Sequence, residues 1–236
     1  MDQRRLRIVT WNCNGALRRK WPALERFDAD VLAIQECEDP ARSADAAYRA
    51  WAGDYLWTGT DKSKGLGVFA RKGAQLASVD LDPSPLELFL PCLLNDAPFL
   101  AVWTKEAKSP TFKYVGQLWK FIESHGDFLR HPLAVAAGDF NSNVQWDVWD
   151  RWWNHSDVVR ELEARGLRSL YHHHHGLSQG GEPHPTFFLH RKPEKPFHID
   201  YIFAAQMLRI EGLEIGAADE WLTLSDHMPI LAAVRE

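Results

Sequence analysis

The chain has 236 residues, 45% hydrophobic and 25% charged, with a formal net charge of −5. This composition belongs to a globular protein able to bury a core of its own, and it excludes a fibrous or low-complexity chain. The acidic balance excludes a uniformly cationic nucleic-acid coat, because phosphate contacts need Lys and Arg at the surface, although a local basic patch is compatible with it.

Read in chain order, Arg7 to Trp11 is a short β-branched run that predicts a buried strand, broken at Asn12-Cys13-Asn14-Gly15. A helix is expected from Trp21 to Phe27, with Pro22 in its first turn. Asp30 to Gln35 is a second apolar run, as in a strand covered on both faces. The Ala-rich stretch 40–52 reads as helical, and 56–60, 66–71, 74–80 and 98–103 as short strands. Apolar residues at Val115, Leu118, Trp119 and Ile122 have helical spacing within 113–128. Pro132 to Ala137 is a further strand, ending at Gly138-Asp139, and 146–165 reads as helical. The His-, Gly- and Pro-rich stretch 171–186 reads as loop, and Ile199–Ala204 and Pro229–Val234 as the last strands. Alternating strands and helices without a repeat or linker point to one α/β domain over residues 1–236.

Three cysteines, Cys13, Cys37 and Cys92, set no disulfide framework and no zinc spacing; reduced thiols fit a cytoplasmic protein. The N-terminus lacks a signal-peptide apolar stretch, and no run approaches the roughly 20 residues of a membrane helix, so stable membrane association is not expected.

The chemistry lies where strands end. Asn12 follows RIVTW, Glu36 follows DVLAIQ, and Asp139 and Asn141 follow PLAVAAG; Asp200 opens DYIF, and Asp226-His227 precede PILAAV. One carboxylate at a strand end is most often a solvated turn residue or a helix cap. A whole ordered set is different, because strand ends are rigid mounts for side chains that must meet in a cleft. These residue types suit attack on a phosphate ester. A hard cation such as Mg²⁺ needs one or two carboxylates with an amide, a further Asp can activate water, and a carboxylate-oriented imidazole can hold a phosphoryl oxygen.

The segments TWNCNG, AIQECE, AGDFNSN, HIDYIF and LSDHMPI together resemble the endonuclease/exonuclease/phosphatase superfamily, whose members include DNase I-like and exonuclease III-like enzymes. The resemblance spans residues 8–231 and implies a four-layer α/β sandwich of two packed mixed sheets flanked by helices. It implies that Glu36 is the principal metal ligand, with Asn12 and Asp226 near the metal, and that Mg²⁺ is the cofactor with Mn²⁺ as a substitute. It implies that Asp139 positions the attacking water, that Asn12, Asn141 and His227 contact the phosphate, and that Asp200 orients His227. Asn14 stands where repair-type members carry Asp, which weakens the case for a second metal-binding carboxylate. Lys105 and Trp103, at the end of FLAVWTK, fall near a slot where family members touch the phosphate. Phe187, in the Pro185-Thr186-Phe187-Phe188 segment, resembles an aromatic that nucleases place near the scissile bond.

The substrate expectation is a nucleic acid, with a phosphatase acting on a small-molecule or lipid phosphate ester as the alternative; no protein partner is assigned. Basic residues at Arg18, Arg19, Lys20, Lys62, Lys64, Lys105, Lys108, Lys113, Arg191, Lys192 and Lys195 are expected to rim the cleft. Trp146, Trp149, Trp152 and Trp153 are expected to pack a helix onto its sheet, and His172–His175 to lie in a loop beside the cleft.

Overall fold

The first two apolar runs, β1 (Arg5–Asn12) and β2 (Val31–Cys37), lie side by side and parallel in the computed structural model, which describes residues 5–236. Between them the chain passes α1 (Leu17–Lys20) and a 3₁₀ turn over Trp21–Phe27, where an α-helix was expected. After α2 (Ala46–Ala52), the hairpin of β3 (Tyr55–Asp61) and β4 (Lys64–Ala70) adds antiparallel to β2. The second sheet opens with β5 (Leu76–Ser78), β6 (Phe89–Leu94) and β7 (Ala97–Trp103). From β7 the chain crosses through α3 (Val115–His125) to β8 (Val135–Asp139), which pairs parallel to β7. Next come α4 (His155–Ala164), β9 (Leu167–Ser169) and α5 (Leu170–His175). A small hairpin of β10 (Phe187–Phe188) and β11 (Pro196–Phe197) precedes β12 (Asp200–Ala205). The chain then returns to the first sheet with β13 (Arg209–Ile215), α6 (Ala218–Trp221) and β14 (Ile230–Arg235).

The first sheet runs β13-β14-β1-β2-β4-β3 and the second β5-β6-β7-β8-β12-β9. Each has one parallel pair near its centre and antiparallel neighbours outside it. Side chains from the two inner faces, among them Ile8, Val68, Phe99, Ala137, Ile202 and Ile230, form the core between the sheets. Trp11, Phe27, Tyr48 and Trp221 pack on the outer face of the first sheet, and Leu118, Phe121, Val158 and Phe203 on that of the second. Two mixed sheets covered by helices make the four-layer sandwich that the sequence implied.

The strands that periodicity passed over have physical reasons for their silence. β6 contains Pro91, which cannot donate to a ladder. It is tolerated because β5 pairs only with Cys92, Leu93 and Leu94, so Pro91 lies beyond the end of that edge strand. β13 is half exposed and its pairing with β14 skips a residue between Ile210 and Gly212, which breaks the alternation. The 171–186 stretch is not all loop: Ser169 caps α5 by accepting from the His172 amide, so the histidine run is helical.

The approach of β7 to β8 depends on Gly138. It pairs with Val102 at φ 155°, and a β-carbon there would stand 1.8 Å from the Val102 carbonyl oxygen. Gly138→Ala must push the two strands apart one residue before Asp139. We expect a loss of about 3 kcal/mol or more, read by urea unfolding; an unchanged midpoint would show that this contact is not tight.

Candidate active site

Parallel strands deliver their C-terminal ends to the same edge of a sheet, and antiparallel neighbours begin there. Asn12 closes β1, Glu36 lies near the end of β2, and Asp139 closes β8. Asp200 opens β12, directly opposite Asp139 in register, and Asp226-His227 lie just before β14. Both sheets therefore bring their acidic ends to one cleft.

Asp139 is at its centre and almost wholly buried. Its Oδ2 accepts from Asn12 Nδ2 at 3.0 Å and Asn141 Nδ2 at 2.9 Å, and its Oδ1 from the Asn141 amide at 2.8 Å. Asn141 is held in turn, donating to the Thr104 carbonyl at 2.7 Å. It has φ 45°, a left-handed conformation that Asn accepts more readily than most residues. Burial and the facing Asp200 carboxylate push the Asp139 carboxyl well above the usual range, against the opposing effects of His227, Asn12 and Asn141.

His227 answers that pair of carboxylates. Its Nδ1 lies 3.2 and 3.0 Å from the two Asp200 oxygens, and its Nε2 lies 4.0 Å from Asp139 Oδ2. Burial alone would lower its pKa, but Asp200 and Asp139 outweigh it and hold the imidazole protonated above its ordinary range. Two buried hydroxyls that the sequence reading missed fix this arrangement. Thr186 Oγ1 accepts from the Ile199 and Asp200 amides at 3.0 and 3.1 Å. Ser225 Oγ accepts from the His227 amide at 3.0 Å and donates to the Asn12 carbonyl at 2.7 Å. Trp11 Nε1 adds a bond to the His227 carbonyl at 2.9 Å. The Ser-Asp-His and Pro-Thr-Phe triplets were the available signal for both hydroxyls.

Glu36 stands apart from this trio. It occupies a bulge in the β2–β4 pairing with φ 58°, a device that re-aims a side chain at a strand end. Its Oε1 lies 3.5 Å from Asn12 Nδ2, and its Oε2 takes an ion pair from Lys64 Nζ at 2.5 Å. Lys64, expected on the basic rim, thus places its ammonium where a metal ion would be wanted. Asp226 accepts from Asn14 Nδ2 at 2.9 Å, so Asn14 orients that carboxylate. Among the described residues, the one cluster of three ligand-type side chains within 4.8 Å is Asp139, Asp200 and His227, without Glu36 or Asp226. The donors nonetheless fit a hard divalent ion: they are mainly carboxylate oxygens, and Glu36 already binds a cation.

The expected substrate contacts divide. The Phe187 ring lies 4.6 Å from that of His227, at the mouth of the site. Trp103 is not a free stacking face, being 7% exposed and part of the core between the sheets. Lys105 sits 5.4 Å from the Trp103 ring centre and 3.9 Å from Glu87. The adjoining Thr104 holds Asn141 through its carbonyl and donates its hydroxyl to the Phe140 carbonyl. Three of the eleven basic residues expected on the rim are held in close ion pairs: Arg18 with Glu38, Lys64 with Glu36 and Lys113 with Glu106.

The Trp cluster divides: Trp153 is half-buried, 5.5 Å from Phe112 and seated over Gly116 of α3, whereas the other three are not core packing. Trp146, Trp149 and Trp152 are 43%, 95% and 67% exposed. Of the histidine run, His172 is buried, its Nε2 2.8 Å from Glu182 and its Nδ1 2.7 Å from Ser169. All three cysteines are free and buried, and burial raises their thiol pKa values, which removes thiolate reactivity.

A family model described as Endonuclease/Exonuclease/phosphatase family matches residues 9–227. No curated protein matches the sequence significantly. Solved structures of the same fold include a 3′-5′ exonuclease from Neisseria meningitidis, 20% identical at TM-score 0.69 over 96% of this chain and 98% of that one. A 3′ phosphatase from Neisseria bound to a product DNA hairpin is 19% identical at TM-score 0.69, with the same coverage. An AP endonuclease from Archaeoglobus fulgidus is 18% identical at TM-score 0.69, covering 96% of this chain and 98% of that one.

The Lys64 ammonium sits on Glu36 Oε2, so a metal cation held by that carboxylate would have to compete with it. Removing the ammonium in Lys64→Met should lower the Mg²⁺ concentration for half-maximal thermal stabilisation at least about 5-fold, since one unit charge at 4 Å is worth about 1 kcal/mol even in water. Calorimetric melting across a Mg²⁺ series measures it, and unchanged half-saturation would mean that Lys64 does not compete.

Proposed function

Because the chain belongs to the Endonuclease/Exonuclease/phosphatase family, we propose that it is a Mg²⁺-dependent phosphodiesterase that hydrolyses nucleic-acid phosphodiester bonds by in-line attack of water. The observation that carries this reading is the buried Asp139 carboxylate, fixed by two amides and facing a charged imidazole. An oriented carboxylate with a raised pKa is a general base for water. Asn12 and the Nε2 proton of His227 hold phosphoryl oxygens, and Asp200 keeps His227 charged and oriented. Asn141, expected on the phosphate, instead spends both amide protons on Asp139 and the Thr104 carbonyl, and so orients Asp139. Glu36, with Asn12 beside it and Asp226 as a further carboxylate, would hold the metal. Bound Mg²⁺, or Mn²⁺ in its place, would neutralise the phosphate and stabilise the leaving oxygen. The reading is of a cytoplasmic enzyme, in keeping with three unpaired cysteines; no helix among the described residues is long and apolar enough to cross a membrane.

Nucleic acid as substrate draws support from the DNA hairpin bound by one protein of the same fold. A small-molecule or lipid phosphate is the second reading, favoured by the ion-paired state of Arg18, Lys64 and Lys113, which leaves less free positive charge for a polyanion. Incubation with Mg²⁺ and labelled single-stranded DNA, duplex DNA, abasic duplex, RNA and a soluble phosphomonoester, each with an EDTA control, separates the two. EDTA-sensitive cutting of a nucleic acid is expected. Cleavage of the monoester alone would replace this reading with the phosphatase one. Asp139→Asn should lose at least about 10²-fold in turnover while unfolding normally, and near-normal turnover would overturn the mechanism.

The pH dependence follows from the same groups. Asp139 must be ionised, and its carboxyl is held high, so the rate rises as pH climbs through that raised value. His227 must be protonated, and its pKa is also held high, so the rate falls beyond it. Asp200→Asn removes a charge that raises both, and should draw both limbs of the kcat/KM profile to lower pH. Limbs that stay in place would assign them to other groups.

A further inference from the structure

An aromatic lane leads out of the site. From the His227 ring the next face is Phe187, at 4.6 Å between centres; Phe187 lies 6.3 Å from Phe197, its partner across the β10–β11 ladder. Phe197 meets Trp146 at 5.3 Å, and there the lane reaches solvent, with the indole 43% exposed. Beside it a cleft of about 240 Å³ opens, with Asn143, Gln145 and Phe197 in its walls.

An exposed indole on a loop is ordinarily free to turn, but this one is mounted. Trp146 ends a 3₁₀ turn over Val144–Trp146 in which the Asn143 side chain accepts from the Gln145 amide at 3.1 Å. The Trp146 amide donates to the Asn143 carbonyl at 3.0 Å, and Arg151 donates to the Trp146 carbonyl at 3.0 Å. Asn143 is itself buried, donating to Glu182 at 3.2 Å and to the His198 carbonyl at 3.1 Å. Glu182 is fixed by His172, so the buried member of the histidine run ends up bracing this turn. The turn follows the stretch that runs from Asp139, at the end of β8, through Asn141, which sets the indole relative to the reacting centre.

We propose that Trp146 is a stacking platform for an unpaired nucleobase flanking the scissile phosphate, so that the site selects single-stranded or frayed nucleic acid over continuous duplex. This rests on the nucleic-acid reading above and deepens it. The rings between His227 and Trp146 pack on one another and leave the indole as the open face, which suits one unpaired base, whereas an inner base of a duplex already has both faces covered by its neighbours. Stacking tolerates any base, so the platform selects strand state rather than sequence.

Anisotropy titrations in EDTA with a short labelled oligothymidylate and a base-free deoxyribose-phosphate chain of equal length test this. Wild type is expected to prefer the oligothymidylate. Trp146→Ala and Trp146→Leu should weaken that complex at least about 5-fold, the lower end of what one base–aromatic stack contributes. Trp146→Phe should restore most of the loss, and the base-free chain should show no comparable change. Wild-type affinity in Trp146→Ala, or equal losses on both chains, would overturn the platform while leaving the nucleic-acid reading intact. Wild type that binds neither chain, but hydrolyses p-nitrophenyl phosphate or binds phosphatidylcholine vesicles, would remove that reading and the platform together.

Discussion

The site depends on two carboxylates, Asp139 and Asp200, set opposite each other on adjacent strands and both about 1% exposed. Like charges directly across a strand pair repel, and burial strengthens the repulsion. The His227 imidazole between them makes the arrangement tolerable, touching Asp200 with Nδ1 and facing Asp139 with Nε2. The neutral amides of Asn12 and Asn141 then hold Asp139 without discharging it. A basic carboxylate beside a charged imidazole, both buried, is a direct result of that balance.

Topology supplies the rest. Each sheet carries one parallel pair, so each contributes strand C-termini to the same end of the sandwich. Gly138 lets β8 approach β7 closely enough for Asp139 to sit in register, and the Glu36 bulge turns a strand residue toward the cleft. The hairpin of β10 and β11 adds an aromatic wall on the His227 side.

Much of this was legible in the sequence because the informative residues sit at the ends of apolar runs. RIVTW-Asn12, PLAVAAG-Asp139 and Asp200-YIF each announce a strand and its polar end at once, and the structure brings Asn12, Asp139, Asn141, Asp200 and His227 together. What stayed hidden depends on partners distant in sequence. Lys64 looks like any turn lysine until Glu36 is beside it, and Thr186 and Ser225, though they lie in the Pro-Thr-Phe and Ser-Asp-His triplets, work by meeting backbone amides that only the fold brings to them. Trp146, Trp149 and Trp152 misled because large apolar side chains are usually buried; here Asp147 accepts from the first amides of α4, and these three side chains are exposed on the loop before it. Trp103 misled in the opposite sense, a strand-end aromatic that faces the core.

The bonds joining Trp11 to His227 and Ser225 to Asn12 link residues 216 and 213 apart in sequence. β14, just after His227, slots between β13 and β1, so the first sheet cannot close until that late segment has been made. Asp139 can reach its strand register earlier, yet without His227 it faces Asp200 with no counter-charge. Closure of the first sheet and completion of the cleft are therefore one event: the segment that seats β14 between β13 and β1 also delivers His227 to Asp139 and Asp200.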